Sequence, residues 1–382
     1  MKICIVTTVG ITQKYFYEPI AQRLCEMGNE VTLIAAFGTG FELKTSKIRY
    51  IDIEMKRGFS FSQFFSMPRI LRKLFIANEF DIVCYSTPNA SYYCSKALKG
   101  LTSFKLYFQF GLRYEGFRKR TLNYAISKFI EKETCSNSDA IRALTQKGVD
   151  ELLSNNLISR DKNVGVISHG GIPGVDFHIF YPMPNNVKQA LRQKMHISQS
   201  VQVIVAVSRL TKDKGTETLI DAFESLPIDD KTLIIVGDYD ETNSISDKHR
   251  SIIKNDERII VTGWISQECI NEYLNIADVF VHASRREGFG EAVVEAMSCM
   301  LPVIACDIPG PSELFVNNES GLLVPRDDIG NLIQAISLVL NDKAFASYLA
   351  KNAYVVAKKR YDRNKVVVEI CRLILSFQGK KK

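Results

Sequence analysis

The feature that most constrains this chain is its alternation of short apolar runs with amphipathic stretches, sustained almost from end to end. The apolar runs predict strands at 2–8, 30–37, 48–54, 81–87, 105–110, 140–144 and 164–168. Helical stretches fall between them, the first over 18–27 and closed by Gly28. Strands that alternate with helices build a parallel, doubly wound sheet. The pattern weakens over 177–200, where Phe180-Tyr-Pro-Met-Pro-Asn-Asn gathers two prolines and turn formers, a linker signal. It then restarts, with strands expected at 201–208, 232–237, 258–262, 278–283, 302–307 and 321–324. Further helices are expected at 215–226, 266–276, 291–300, 330–341, 343–359 and 366–377.

The expected architecture is therefore α/β: two Rossmann-like, doubly wound parallel-sheet domains facing a central cleft. The first spans 1–180 and the second 181–360, with 361–382 a C-terminal helix that packs back on the first. A chain of 382 residues, 46% hydrophobic, is large enough for two separate cores. Open α/β sheets take ligands at the carboxyl ends of their strands, so residues just after a strand are the candidates for chemistry.

Two segments answer that description. In Val205-Ala-Val-Ser-Arg209-Leu-Thr-Lys-Asp-Lys214-Gly215 a strand ends and two cations sit five positions apart before a helix. Such a pair either clamps a diphosphate, with Arg as a planar fork and Lys as a point charge, or decorates a solvated loop. In His282-Ala-Ser-Arg-Arg-Glu287-Gly-Phe-Gly-Glu-Ala-Val-Val-Glu295 a strand runs through a Gly-Phe-Gly loop into a helix. Glycines permit close backbone approach, and the helix N-terminus offers free N–H groups. Acids at a helix start also complement the dipole, which accounts for Glu291 but not for Glu287 with its flanking glycines.

Arg-x-x-x-x-Lys-Gly followed by Glu-Gly-Phe-Gly-x-x-x-x-Glu-Ala-Met resembles the retaining glycosyltransferases of family 4, which have the GT-B fold and are also called group 1. Leu301-Pro-Val-Ile-Ala-Cys-Asp, Gly310-Pro-Ser-Glu313-Leu and Ser320-Gly-Leu-Leu-Val-Pro325 resemble that family's next segments, and Gly171-Ile-Pro-Gly-Val-Asp176 with Phe180 its segment before the linker. The match is strong over about 200–326 and weaker over 1–180. The resemblance implies that Arg209 and Lys214 bind the donor diphosphate and that Glu287 contacts the transferred sugar. It further implies a donor-binding set of Gly10, Gly263, Trp264, Gly288, Phe289, Gly290, Val293 and Glu295. Within that set Glu295 would hold the ribose hydroxyls, Gly263-Trp264 would sit near the base, and Phe289 and Gly290 would offer backbone amides. Gln109, Arg113 and His282 are the expected sugar or acceptor contacts. Three departures stand out: many relatives carry a His where this chain has Tyr107-Phe-Gln109-Phe-Gly111, the usual glycine pair of the first loop is reduced to Gly10 before Ile11-Thr12-Gln13, and Met300 replaces a Gly.

The net charge of +7 is placed unevenly: residues 1–180 carry net +8 and the remainder net −1. An excess confined to one half suggests an anionic partner there. The basic, aromatic stretches 55–75 and 113–120 fit docking on an anionic membrane, where a lipid-linked acceptor would lie. No nucleic-acid module is present, so nucleic acid is not an expected partner. The N-terminus reads straight into a strand, which is not the pattern of a signal peptide. The nine cysteines form no C-x-x-C pair and read as free thiols of a reducing cytoplasm. Asp238-Tyr-Asp240 is discounted as a metal motif, so no metal or other cofactor is expected. Gly38-Thr-Gly40 is a poor dinucleotide fingerprint because it follows the second strand.

The expected function is retaining transfer of a sugar from a nucleotide sugar, a UDP-sugar above all, to a glycan acceptor that is lipid-linked and destined for a surface polysaccharide. The expected place is the cytoplasm, peripheral on the inner face of the inner membrane. Two other readings share the fold: a non-catalytic nucleotide-binding protein and a sugar-nucleotide epimerase.

Overall fold

In the computed structural model, residues 1–38, 47–56, 58 and 60–380 are described. Gly38-Thr-Gly40 thus lies mostly outside the described residues, as do parts of the 55–75 stretch. The chain forms two compact units: Met1–Gly174 with Asn364–Lys382, and Val175–Arg363.

The first unit holds a seven-stranded sheet of β1 (Lys2–Val9), β2 (Glu30–Ala36), β3 (Ile48–Asp52), β4 (Ile82–Tyr85), β5 (Phe104–Gln109), β6 (Ala140–Ala143) and β7 (Val164–Val166). Its order is β3-β2-β1-β4-β5-β6-β7 and every pair is parallel. Successive side chains enter two different cores, as the two-residue period of a strand requires. Ile3, Ile5, Leu106 and Phe108 join the Glu18–Glu26 helix on one face. Cys4, Val6, Tyr85 and Tyr107 join the helices Phe61–Asn78, Pro88–Ala97 and Leu122–Asn137 on the other.

The Arg363–Leu375 helix completes the first of these cores. Val366, Ile370 and Ile374 recur at four-residue intervals, so they form one apolar stripe. Beyond it Phe377 stacks on Phe104 with ring centroids 4.5 Å apart.

The second unit holds β8 (Gln202–Val207), β9 (Lys231–Val236), β10 (Ile259–Val261), β11 (Val279–His282), β12 (Val303–Cys306) and β13 (Leu322–Val324). Their order is β10-β9-β8-β11-β12-β13, again all parallel. One large core spans Ile204, Phe223, Leu233, Val281, Ile304 and Ile336.

The expected boundaries at 180/181 and 360/361 move to 174/175 and 363/364. The two passages of chain between the units are tied to each other: Val175 N–H donates to Tyr361 O at 2.7 Å, Arg363 N–H to Val175 O at 2.9 Å, and Arg363 Nη1 lies 3.1 Å from Asp176 Oδ2. The 177–200 stretch is also not a plain linker, because Asn185–Lys194 is helical. That helix buries none of its residues; it is held by polar anchors, notably Arg192 to Ile276 O at 2.7 Å and to Asp278 Oδ2 at 2.8 Å. A hydrophobic pattern gives no sign of such an element.

Candidate active site

The second unit builds a polar site at the carboxyl ends of β8 and β11, the pair where its strand order reverses direction. Gly215 makes the geometry possible. Its φ is 66°, and a Cβ there would lie 1.9 Å from Ala283 O. Only glycine lets the loop after β8 press against the end of β11. The contact brings Lys214 beside the loop that carries Glu287.

Lys214 Nζ lies 2.6 Å from Glu287 Oε2, and His282 Nε2 lies 3.4 Å from the same oxygen. The other carboxylate oxygen accepts from Gly288 N–H at 3.0 Å. Burial on its own would raise the pKa of Glu287, but the charge of Lys214 and the contact with His282 outweigh it and hold the carboxyl below its usual range. Glu287 is therefore a fixed anion at neutral pH. His282 is buried, and its Nδ1 has no hydrogen-bond partner. It stands as a support of Glu287, a role its position before the loop does not announce.

Arg209 follows β8 directly and pairs through Nη1 with Asp240 Oδ2. Asp240 is the second acid of the discounted Asp-x-Asp, and its structural role is to hold Arg209. Half of the Arg209 side chain remains exposed, so its guanidinium is available to a ligand.

The Gly288-Phe289-Gly290 turn is built around close packing. Gly290, with φ of 103°, opens the Glu291–Ser298 helix. The Phe289 ring is buried against Tyr361, with centroids 5.6 Å apart. Gly310, far along the chain, brings its backbone against Phe289: a Cβ there would sit 2.9 Å from Phe289 O. Val293 is fully buried and packs beneath the turn, so its side chain serves the core.

Glu291 and Glu295 lie deep among protein atoms yet keep a partial opening to solvent. Burial pushes Glu295 up to about 7, with Arg363 offsetting part of the effect. Burial, then the nearby Glu295 and Glu287 charges, push Glu291 well above the usual range. Arg363 is a neighbour no local motif reveals, since about seventy positions separate it from these acids in sequence. Gly263 has φ of 70°, and Trp264 beside it is 74% exposed, an unburied aromatic surface after β10.

The remaining candidates belong to the first unit. Gly10 is buried where the chain leaves β1, and a Cβ there would lie 2.9 Å from Phe37 Cα. Gln13, three residues on, points inward: its Nε2 donates to Ile5 O at 3.0 Å and Ile34 O at 3.2 Å. It opens a π-helical turn over Gln13–Tyr17, a form often found at functional sites. Gln109 ends β5 and is buried; Arg113 lies on the next turn, Arg113–Gly116.

Comparison with known proteins finds likenesses among glycosyltransferases. Residues 187–356 match the sequence model of the family described as glycosyl transferases group 1. The capsular polysaccharide biosynthesis glycosyltransferase CapM of Staphylococcus aureus is 26% identical over 85% of this chain and 83% of its own length. The UDP-Gal:alpha-D-GlcNAc-diphosphoundecaprenol alpha-1,3-galactosyltransferase of Escherichia coli is 31% identical over 51% of this chain, which spans about half of that relative (48%). Among solved structures, sucrose-phosphate synthase from Thermosynechococcus elongatus superposes with a TM-score of 0.84 at 19% identity, covering all of both chains. Anabaena HepE in complex with UDP-glucose gives 0.80 at 21% identity, over 98% of this chain and 100% of that one.

Two Rossmann-like parallel-sheet units with these structural neighbours define the GT-B fold. Within that fold residues 187–356 of the second unit form a group 1 glycosyltransferase domain, and the relatives named above include enzymes of capsular polysaccharide and diphosphoundecaprenol-linked glycan synthesis.

Proposed function

We propose that the protein transfers a sugar from a UDP-sugar to a lipid-linked glycan with retention of anomeric configuration. The observation that carries the reading is the Lys214–Glu287–His282 cluster at the carboxyl ends of β8 and β11. In the free protein the ammonium of Lys214 neutralises Glu287. A bound diphosphate would share that ammonium and meet Arg209 as a second cation. Glu287, held anionic, would accept a hydroxyl of the transferred sugar, and Glu295 those of the ribose. Trp264 offers a face for the base.

Transfer on this reading breaks the bond between the anomeric carbon and the diphosphate oxygen. The acceptor oxygen attacks on the same face, and its proton passes to the departing phosphate oxygen. Arg209 and Lys214 stabilise the developing phosphate charge, so catalysis is positioning and electrostatics. Neither glutamate is required as an acid or base, and no metal is assigned a role. The UDP assignment is supported by the donor in the name of the E. coli relative, and the lipid-linked acceptor by the same name.

The first unit is assigned the acceptor and a peripheral membrane contact. Among the described residues no helix is long and apolar enough to cross a membrane. The helices Phe61–Asn78 and Leu122–Asn137 pack on either side of Pro88–Ala97. They expose Phe61 (73%), Phe65, Ile70, Ile76, Leu122 (75%), Ile126 and Phe129, beside exposed Arg69, Lys73, Arg118, Lys119, Arg120 and Lys132. Apolar side chains ringed by cations suit an anionic bilayer surface.

The deciding experiment is a thermal-shift screen against nucleotides and nucleotide sugars, followed by turnover of the best donor. Stabilisation by UDP above other nucleotides, with turnover lost in Glu287→Ala and Arg209→Ala while both stay folded, is expected. Unchanged turnover in both variants overturns the site.

A further inference from the structure

The strand order of the first sheet reverses direction between β1 and β4, so their carboxyl ends flank its natural crevice. The register aligns Val6 with Tyr85 and Tyr85 with Tyr107. Beyond these pairs β1 slips register between Val6 and Val9 and the chain leaves β4, while β5 runs on to Gln109. Alternation within β5 places Gln109 on the face that holds Tyr107, the face covered by the Pro88–Ala97 helix. At the neighbouring strand ends Thr8 N–H donates to Thr87 Oγ1 at 3.0 Å, and the two hydroxyls are 2.8 Å apart.

Gln109 is the informative member. It is 3% exposed, and its Nε2 has no hydrogen-bond partner. An unpaired buried amide destabilises a fold, so its presence asks for a ligand. Arg113, four residues on, folds back over the same corner and donates to Asn89 Oδ1 at 3.1 Å, in the first turn of the Pro88–Ala97 helix. Thr87 caps that helix with φ of 68°, a conformation β-branched residues rarely adopt. A guanidinium, an amide NH2, the one hydroxyl proton that the Thr8–Thr87 pair leaves over and a helix N-terminus are all donors. Their match is a phosphoryl oxyanion.

We propose that this corner is a phosphoryl-binding subsite of the first unit that anchors the acceptor by a phosphate ester. The proposal rests on the reading that this unit takes the acceptor. Gln109 supplies the donor left without a partner in the free protein, and Arg113 supplies the charge.

The test is calorimetric titration of the full chain, held saturated with UDP, first with inorganic phosphate. Glucose 1-phosphate, and vesicles of phosphatidylcholine with phosphatidic acid, then distinguish a soluble ester from a lipid headgroup. Phosphate binding should persist beside UDP. Arg113→Met should weaken it by about tenfold to a hundredfold and Gln109→Leu by about fivefold, with UDP affinity unchanged in both. Gln109→Leu should also raise the melting temperature, because it removes the unpaired amide. That opposition of stability and affinity has no counterpart in a purely structural role, and it carries the test if Arg113→Met does not fold. Phosphate binding that UDP abolishes, or that both variants leave intact, overturns the proposal, as does failure of all three probes to bind. Loss of UDP binding in the unaltered protein would strike the donor reading instead, and the phosphate titration would still decide this one.

Discussion

Lys214 Nζ and Glu287 Oε2 lie 2.6 Å apart although 73 residues separate them in the chain. The pair links the loop after β8 to the loop after β11. If Glu287 acts on the transferred sugar, Glu287→Ala should lower turnover of the donor by about 10²–10³-fold, the usual loss for one preorganised polar contact. UDP itself should bind within about threefold of normal, since Lys214 is then released to the diphosphate. Lys214→Ala should do the reverse and weaken UDP. Parallel loss of UDP affinity in Glu287→Ala would mean that Glu287 mainly holds the loop.

Arg209 and Asp240 form an exposed pair, so their contact contributes little to folding, about 0–1 kcal/mol. Arg209→Ala should leave the melting temperature nearly unchanged and weaken UDP about tenfold or more, because a charged donor to phosphate is lost. Calorimetry on the variant, beside its thermal melt, separates the two effects.

Glu295 gives the site a pH dependence. An unfolded glutamate titrates near ~4.3, whereas burial pushes this one up to about 7. Between those values the native state binds more protons than the unfolded chain. The stability linked to this group is therefore complete below ~4.3 and is lost as pH rises through about 7. Glu291 acts in the same direction. Glu295→Gln should flatten the fall, seen in urea melts from pH 5 to 8. If the ribose hydroxyls donate to this carboxylate, UDP should also bind more tightly above pH 7 in the normal protein and without that step in Glu295→Gln.

Gly215 and Gly263 make a paired test of close approach against backbone strain. Both have positive φ, but a Cβ at Gly215 would collide with Ala283 O while one at Gly263 meets nothing within 4 Å. Gly263→Ala should cost about 1–2 kcal/mol, the left-handed penalty alone. Gly215→Ala should cost about 3 kcal/mol or more and separate Lys214 from Glu287. Equal costs by chemical denaturation would refute the packing argument.

The proposed membrane face is tested by removing apolar contact and charge in turn. Phe61→Ser with Leu122→Ser should reduce flotation with anionic vesicles severalfold at any salt. Replacing Arg118, Lys119 and Arg120 should reduce it mainly at low ionic strength, where exposed charges are least screened. Neutral vesicles serve as the reference; equal binding to both would remove the electrostatic part of the reading.

The inner strands of both sheets are legible in the chain because burial on both faces imposes short apolar runs, whereas the edge strand β3 shows instead as an alternation of apolar and polar residues. The loops at Arg209–Gly215 and Glu287–Gly290 were equally legible, since glycine and charge just after a strand leave a local mark. The Asn185–Lys194 helix leaves no such mark, because it is held by polar anchors and none of its residues is buried.

What the chain by itself determined, then, was the set of elements and the residue types at their carboxyl ends, both products of local pattern. The tertiary structure alone decided which of those residues meet. It brought Lys214 and His282 to Glu287, Asp240 to Arg209, Arg363 to the Glu291–Glu295 face, and the last helix to the first sheet. Such contacts depend on strand order and on how closely backbones approach, as at Gly215 and Ala283. A one-dimensional pattern carries neither quantity. For the same reason the meeting of Thr8 with Thr87 beside the end of β5 appears only once β1, β4 and β5 lie side by side.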